Sequence, residues 1–279
     1  MLTDGLSQGR LQLSGWLVAE DRDTPYDGSE QTPNPLEERT KIRVWLVTTD
    51  VRLTRHFGVQ VTTTLPDVTR SAGAFNYTET FKGLGDTSVI AWHRSVTFGW
   101  NFTVNGGLSL PTGKTEVPRF RPELSDGSLV PVSRLQRGTG TYDPIFGVSM
   151  NRLVGQIFPP GVRVFMTSAA RVPVAENEFG LRTGASIEAG AGASREVGWH
   201  QLIAIGRLSW LHRERDVANG IPILVGGGNW LYLAPAAAVS LSRKFTVQAE
   251  VKFPLYRDLA NRQLDSSRSF QAGVVWQPF

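Results

Sequence analysis

The chain has 279 residues, 41% of them hydrophobic, a formal net charge of +4 and no cysteine. No apolar run approaches the roughly 18 residues of a membrane-spanning helix, so a helical membrane protein is excluded. Lys and Arg are scattered singly along the chain, which argues against a nucleic-acid partner.

In chain order, the predicted elements are about twelve strands, in which apolar and polar side chains alternate with a period of two. The first strand sets Leu11, Leu13 and Leu17 on one face, and the eleventh sets Phe245 and Val247 on one face. The predicted strands cover residues 10–20, 39–53, 57–65, 85–94, 98–110, 140–152, 162–172, 179–194, 200–212, 229–241, 245–256 and 269–279.

The connections between these strands alternate between short turns and long polar segments. The long ones cover residues 21–38, 66–82, 111–139, 214–228 and 257–268. Short turns at one rim and long loops at the other are typical of a transmembrane β-barrel. The sheet must close because every backbone amide in hydrocarbon needs a partner. We therefore expect an all-β, antiparallel, membrane-spanning barrel of about 12 strands, forming one domain over residues 1–279.

The ends of the chain agree with a bacterial outer-membrane location. An even number of strands puts both termini on one rim, which we expect to be periplasmic. The aromatic carboxyl terminus, Phe279, resembles a barrel-assembly signal, although Gln277 and Pro278 depart from its usual pattern. Residues 1–5 lack the basic start and apolar core of a signal peptide, so we expect the export signal to have been removed.

Several aromatic residues fall near predicted strand ends, where interfacial girdles of a membrane barrel belong. They include Trp16, Trp210, Trp230, Tyr256 and Trp276. The alternative is that aromatic residues are simply common in strands. The bias toward strand ends favours the girdles.

Three short motifs occur together between residues 83 and 144. They are Gly-Leu-Gly-Asp at residues 83–86, Leu-Pro-Thr-Gly at 110–113 and Gly-Thr-Gly-Thr-Tyr-Asp-Pro at 138–144. Their order and spacing resemble the outer-membrane barrel family labelled "MetA-pathway of phenol degradation", and the resemblance spans roughly residues 82–279. It implies a transporter-like barrel without catalytic residues. From the residues alone, the glycines read as turn positions, and Asp86 and Asp143 as turn caps or as part of the outer mouth.

No motif indicates a catalytic, cofactor or metal site. Residues 112–115, Thr-Gly-Lys-Thr, lack the upstream glycine and the following helix of a phosphate-binding loop. No two of the four histidines have metal-ligand spacing. An outer-membrane hydrolase built from His93, Ser95 and Asn101 is the remaining enzyme hypothesis, although this group falls at a short turn.

The residues opposite the apolar stripes are mostly basic and predict the lining of the lumen. The predicted lumen-lining residues are Lys41, Arg43, Arg163, Arg171, Arg182, Arg207, Glu250 and Lys252. An excess of positive charge would bias permeation toward anions. Interior ion pairs that plug the barrel are an equal alternative, and a register error of one residue would reverse any assignment.

The expected function is passive passage of small solutes, with aromatic or anionic molecules as candidates, across the outer membrane. The lumen would be narrowed by side chains and by the 111–139 loop folding inward. The alternative is a closed barrel that serves as a scaffold or anchor, with a protein partner at its loops. Membrane lipid is the other expected partner, and no cofactor is expected.

Overall fold

The computed structural model describes residues 11–115, 137–154, 161–198, 201–223 and 226–278. Twelve of its strands form the wall of a barrel. These wall strands are β1 Leu11–Arg22, β2 Glu38–Arg52, β3 Phe57–Ala72, β4 Thr87–Thr97, β5 Trp100–Leu110, β6 Asp143–Val154, β7 Val162–Arg171, β8 Ser186–Val197, β9 Leu202–Arg213, β10 Gly228–Ser242, β11 Phe245–Asp265 and β12 Ser269–Trp276.

Shorter elements lie along one rim of the barrel wall. They are the strands Thr24–Gly28, Glu30–Gln31, Tyr77–Lys82, Leu181–Arg182, Val217–Ala218 and Ile221–Pro222, and one turn of 3₁₀-helix at Gly73–Phe75. No helix in the described ranges is both long and apolar enough to cross a membrane.

Each wall strand pairs antiparallel with its chain neighbours, and β1 pairs with β12 to close the ring. Along that closing seam, Leu13 lies opposite Trp276 and Glu20 lies opposite Ser269. The predicted closed, antiparallel barrel of twelve strands is therefore confirmed. We call the rim that carries residues 53–56, 98–99 and 243–244 the short-turn rim, and the opposite one the long-loop rim.

Side chains alternate between the inner and the outer face of the wall. On β2, Thr48 is 4% exposed, and its hydroxyl lies 2.9 Å from that of Thr62 on β3. Its neighbours Trp45 and Val47 are each 52% exposed and point the other way. The inner face is thus largely polar, whereas the outer face carries the exposed apolar side chains that lipid requires.

Two predicted loops are largely strand in the structure. β3 continues through Pro66 to Ala72 and pairs with Tyr77–Lys82, where residues 66–82 were predicted as a loop. β11 likewise extends to Asp265, and Pro254 on it lies at a register shift opposite β10. Proline is tolerated at bulges and strand edges, so it does not end a strand there. β8, in contrast, begins only at Ser186, seven residues after the predicted start at residue 179.

Aromatic rings on the inner face lie against glycines of the adjacent strand. A Cβ added to Gly273 would lie 2.3 Å from the ring of Trp16, and one added to Gly58 would lie 2.3 Å from that of Trp92. Trp16 is only 2% exposed, so its predicted place in an interfacial girdle is wrong. Phe279 and residues 116–136 of the predicted inward loop lie outside the described residues.

Candidate functional site: the barrel interior

Ion pairs line the long-loop half of the interior. Arg207 on β9 donates to Glu250 on β11 at 2.7 Å, and their side chains are 10% and 6% exposed. Four further pairs form there: Arg22–Glu20 at 2.7 Å, Arg213–Asp216 at 3.1 Å, Arg257–Asp265 at 3.5 Å and Lys252–Glu188 at 3.6 Å. We call these five the interior ion pairs. In each of them a basic side chain is neutralised by an acidic one.

Small residues make room for the Arg207–Glu250 pair. Arg207 lies directly opposite Gly192 on β8 and Ala234 on β10, and Ala234 is fully buried. Glu250 lies opposite Ala236. A charged side chain can therefore lie over the intervening strand β10 and reach its partner two strands away.

The Lys252–Glu188 pair joins strands that lie farther apart. Glu188 is on β8 and Lys252 on β11, with β9 and β10 between them in the ring. The pair therefore spans part of the lumen instead of lying along the wall. The ammonium of Lys252 also lies 5.9 Å from the ring centre of Tyr232, a geometry that attracts a cation to the ring face.

A cavity of about 260 Å³ lies among these groups. We call it the interior cavity. Its lining includes Glu20, Arg22, Glu188, Trp230, Tyr232 and Lys252. The indole of Trp230 donates to the carboxylate of Asp265 at 3.0 Å. The cavity thus combines charges of both signs with aromatic rings, which is the mixture that binds small polar or aromatic molecules.

The three sequence motifs converge on a second interior cluster, which we call the motif cluster. Asp86 accepts hydrogen bonds from the backbone amides of Gly113 at 3.2 Å and Thr139 at 2.8 Å. Asp143, which is fully buried, accepts from the Arg171 guanidinium at 2.9 Å. These bonds fasten both ends of the connection between β5 and β6. The motifs are therefore structural at this place, as the residue-based interpretation had it.

The predicted lumen-lining residues divide into three groups. Arg163, Arg171, Arg207, Glu250 and Lys252 lie on the inner face, because they alternate with outward residues or bond to inner-face groups. That they border a permeation path stays a prediction.

Arg182 does not belong to the wall. It lies in the short rim strand Leu181–Arg182 and donates to the backbone carbonyl of Pro173 at 3.4 Å.

Lys41 and Arg43 lie on the outer face, so their assignment to the lumen is wrong. Both alternate in phase with Trp45 and Val47, which are exposed, and out of phase with the buried Thr48. Both faces of β2 carry apolar residues, and the sequence alone could not choose between them. The register with β3 makes the choice, because it pairs Thr48 with Thr62.

Sequence reasoning missed several interior residues. Glu20 and Arg22 lie on the face opposite Leu13 and Leu17. Glu20 was inside the predicted strand 10–20 but was not chosen, and extending that strand by two residues would have found Arg22. Asp265 was assigned to a loop, and it reaches the interior because β11 continues to residue 265, where it pairs with the rim strand Thr24–Gly28. No signal in the sequence shows this neighbourhood.

The hydrolase hypothesis fails on geometry. His93 lies opposite Val104 on β5 and Ser95 lies opposite Phe102, and the exposed Val104 marks this as the outer face. Asn101 instead points inward and donates to Asn151 at 3.2 Å. The three side chains therefore do not share a face. Among the described residues, no group of three or more His, Cys, Asp or Glu could hold a metal ion.

Comparison with solved structures identifies the type of fold. The chain resembles an outer membrane channel from Pseudomonas putida F1, with a TM-score of 0.76 at 12% identity, over 98% of this chain and 96% of that one. It also resembles the β-domain of the Bordetella autotransporter BrkA, with a TM-score of 0.57 at 12% identity, over 96% of this chain and 99% of that one. At these identities, the likeness shows a barrel of the outer-membrane type.

The transport unit of the autotransporter AIDA-I from Escherichia coli is similar too, with a TM-score of 0.50 at 10% identity, over 100% of this chain and 93% of that one. The chain matches no family model. No curated protein matches it either. The resemblance to the "MetA-pathway of phenol degradation" family therefore stays a prediction drawn from the motifs.

Proposed function

We propose that this protein is a passive channel for small solutes in a bacterial outer membrane. The interior cavity carries the proposal, because it lies inside a closed wall and is bordered by polar, charged and aromatic side chains. A barrel that only anchored a partner could hold the same ion pairs, but it would have no need of a cavity among them. The likeness to an outer membrane channel supports the proposal at the level of the fold.

The pairing of interior charges favours weak ion selectivity. Each basic member of the interior ion pairs already holds a carboxylate, so these five pairs offer no row of free cations to an anion. Trp230 and Tyr232 line the cavity beside these pairs. Small aromatic or polar solutes therefore suit the site better than simple anions do.

The Lys252–Glu188 pair is the candidate selectivity element. Its side chains are 26% and 39% exposed, whereas Arg207 and Glu250 are 10% and 6% exposed. A solute in the cavity would therefore meet this pair. Charges that line a narrow path focus the field on a permeating ion.

Reconstitution in planar bilayers tests the proposal. We expect steady single-channel currents from the wild type, with similar permeabilities for K⁺ and Cl⁻ in a salt gradient. Glu188→Gln should shift the reversal potential toward anion preference, and Lys252→Gln should shift it toward cation preference. Lys82→Gln is the matched control, because Lys82 is 73% exposed and pairs with Asp67 on the outer face. A control shift as large as the others would contradict the assignment.

A closed barrel that acts as a scaffold is the second candidate. The apolar cluster of Phe165, Ile205 and Ala238, which is buried in the interior toward the short-turn rim, favours it. This candidate predicts no steady current from the wild type in several lipids. It also predicts that Phe165→Ala, which removes the largest ring of the cluster, opens a measurable conductance. Wild-type currents unchanged by Phe165→Ala would exclude a seal at this level.

A further inference from the structure

A groove on the outside of the barrel differs from the rest of the outer face. It has a volume of about 490 Å³ and lies at the long-loop rim, where β1, β2 and β12 meet. Three arginines line it: Arg39, Arg43 and Arg268. We call it the outer basic groove.

The acidic residues of the groove do not cancel its positive charge. Asp21 is shared by two arginines, since Arg39 donates to it at 3.1 Å and Arg43 at 2.9 Å. Asp23 also lines the groove and accepts a hydrogen bond from Thr24 at 3.0 Å. Glu20 also lines the groove, but its carboxylate pairs with Arg22 at 2.7 Å among the interior ion pairs. Three cations therefore meet two carboxylates on the outer face.

One further cation and one further carboxylate lie beside the groove. Lys41 lies on the same face, directly opposite Asp21 in the register of β1 and β2. Asp67 lies opposite Arg43 across the other edge of β2, but Asp67 already pairs with Lys82 at 2.9 Å. Among the described residues, no ion pair holds Arg268 or Lys41. A net positive charge therefore stays at the groove.

The groove begins where the apolar outer surface ends. Ala19 lies opposite Arg43 on one side and Phe270 on the other. Two residues toward the short-turn rim, Leu17 lies opposite Trp45. Trp45 and Phe270 are 52% and 42% exposed on the outer face. Arg43 is thus level with Phe270 and lies two residues above Trp45, at the level where a membrane barrel has its aromatic girdle.

The basic groups at the rim and the apolar groups below them match the anionic headgroup and the acyl chains of a phospholipid. Arginine presents a planar fork of donors that suits phosphate oxygens. Hydrocarbon chains would then run along the apolar surface below. Arg39 and Arg43 are 45% and 41% exposed, so their remaining N–H groups can be reached from the membrane.

We infer that the outer basic groove binds the phosphate-bearing headgroup of an anionic membrane lipid, with the acyl chains against Trp45 and Phe270. This site lies outside the lumen and does not depend on the channel function. It would fix one sector of the barrel to a particular lipid.

Native mass spectrometry of the purified full chain in detergent tests the inference. The probes are phosphatidylglycerol and lipid A. Phosphatidylcholine is the reference, because its choline cation neutralises its own phosphate and leaves the lipid without net charge. We expect the wild type to retain the anionic lipids in preference to phosphatidylcholine. The variant Arg39→Gln/Arg43→Gln/Arg268→Gln should weaken that retention about tenfold or more, since hydrogen bonds to charged groups are being removed.

Matched controls separate this site from general attraction between a basic protein and anionic lipid. Arg152→Gln/Arg195→Gln/Arg243→Gln removes the same charge from exposed positions near the short-turn rim and should leave the preference intact. Arg268→Gln alone breaks no ion pair in the described chain and should still weaken retention if the triple variant fails to fold.

Three results would overturn the inference. They are equal retention of phosphatidylcholine by the wild type, equal losses in the two triple variants, and binding of inorganic pyrophosphate as tight as that of the lipid.

Discussion

Glu250→Gln tests how strongly the buried interior charges hold the barrel together. The change keeps the shape of the side chain but removes the charge that neutralises Arg207, 2.7 Å away. Arg207 cannot move to water, because its side chain is only 10% exposed and lies over Ala234 and Gly192. Its Nε already has no hydrogen-bond partner. The variant therefore leaves an uncompensated cation in the wall.

The burial of the pair sets the expected magnitude. Removing one member of a buried ion pair typically costs about 3–5 kcal/mol of unfolding free energy. An exposed pair of similar length contributes no more than about 1 kcal/mol. Asp67 and Lys82 form such a pair at 2.9 Å, with side chains 35% and 73% exposed. We therefore expect Glu250→Gln to destabilise the barrel by about 3 kcal/mol and Asp67→Asn by less than about 1 kcal/mol.

Urea-induced unfolding from phosphatidylcholine vesicles, followed by tryptophan fluorescence, measures both variants. The midpoint and slope give the unfolding free energy, and an unchanged slope shows that the unfolded states are comparable. The double variant Arg207→Met/Glu250→Leu should recover most of the lost stability, because it removes both charges from the interior. Equal losses in Glu250→Gln and Asp67→Asn would refute the argument from burial.

Two further predictions concern stability and use the same assay. Asp143→Asn should lower the unfolding free energy by about 2 kcal/mol, less than Glu250→Gln, because Asp143 is fully buried but Arg171 is 37% exposed and keeps Asp86 at 3.6 Å. A loss larger than that of Glu250→Gln would contradict the role of burial. Gly273→Ala should cost about 2 kcal/mol, because the new Cβ would lie 2.3 Å from the Trp16 ring. Gly206→Ala is the control, because no atom lies within 4 Å of a Cβ added at that position. Comparable losses of unfolding free energy in the two alanine variants would contradict the packing argument.

The interior charged residues that were predicted correctly lie on a strand with a clear alternation of polar and apolar side chains. Glu250 and Lys252 alternate with Val247 and Phe253 along a strand whose two faces differ clearly in polarity, so both were placed correctly on the face opposite the lipid. β2 lacks that contrast, since Ile42 and Trp45 lie on opposite faces. Lys41 and Arg43 were therefore assigned to the wrong side.

Asp86 and Asp143 show a different limit. Both were recognised in motifs, and both were interpreted as caps or mouth residues. Both carboxylates lie near Arg171, because β4, β5, β6 and β7 pair with one another in order around the ring. The sequence separation between Asp86 and Arg171 hides this contact, because no local pattern reports a partner so far along the chain.

The amino-acid sequence by itself determined the barrel class, the strand number and the alternation of short and long connections. These properties can be predicted locally, because the period-two alternation of a strand and the residues of a turn each involve only a few neighbouring positions. The tertiary structure alone decided which face of β2 points inward, that Glu188 reaches Lys252 across two strands, and that arginines gather beside Phe270 on the outside. The register between strands and the closure of β1 on β12 fix those contacts, and both depend on residues far apart in the chain.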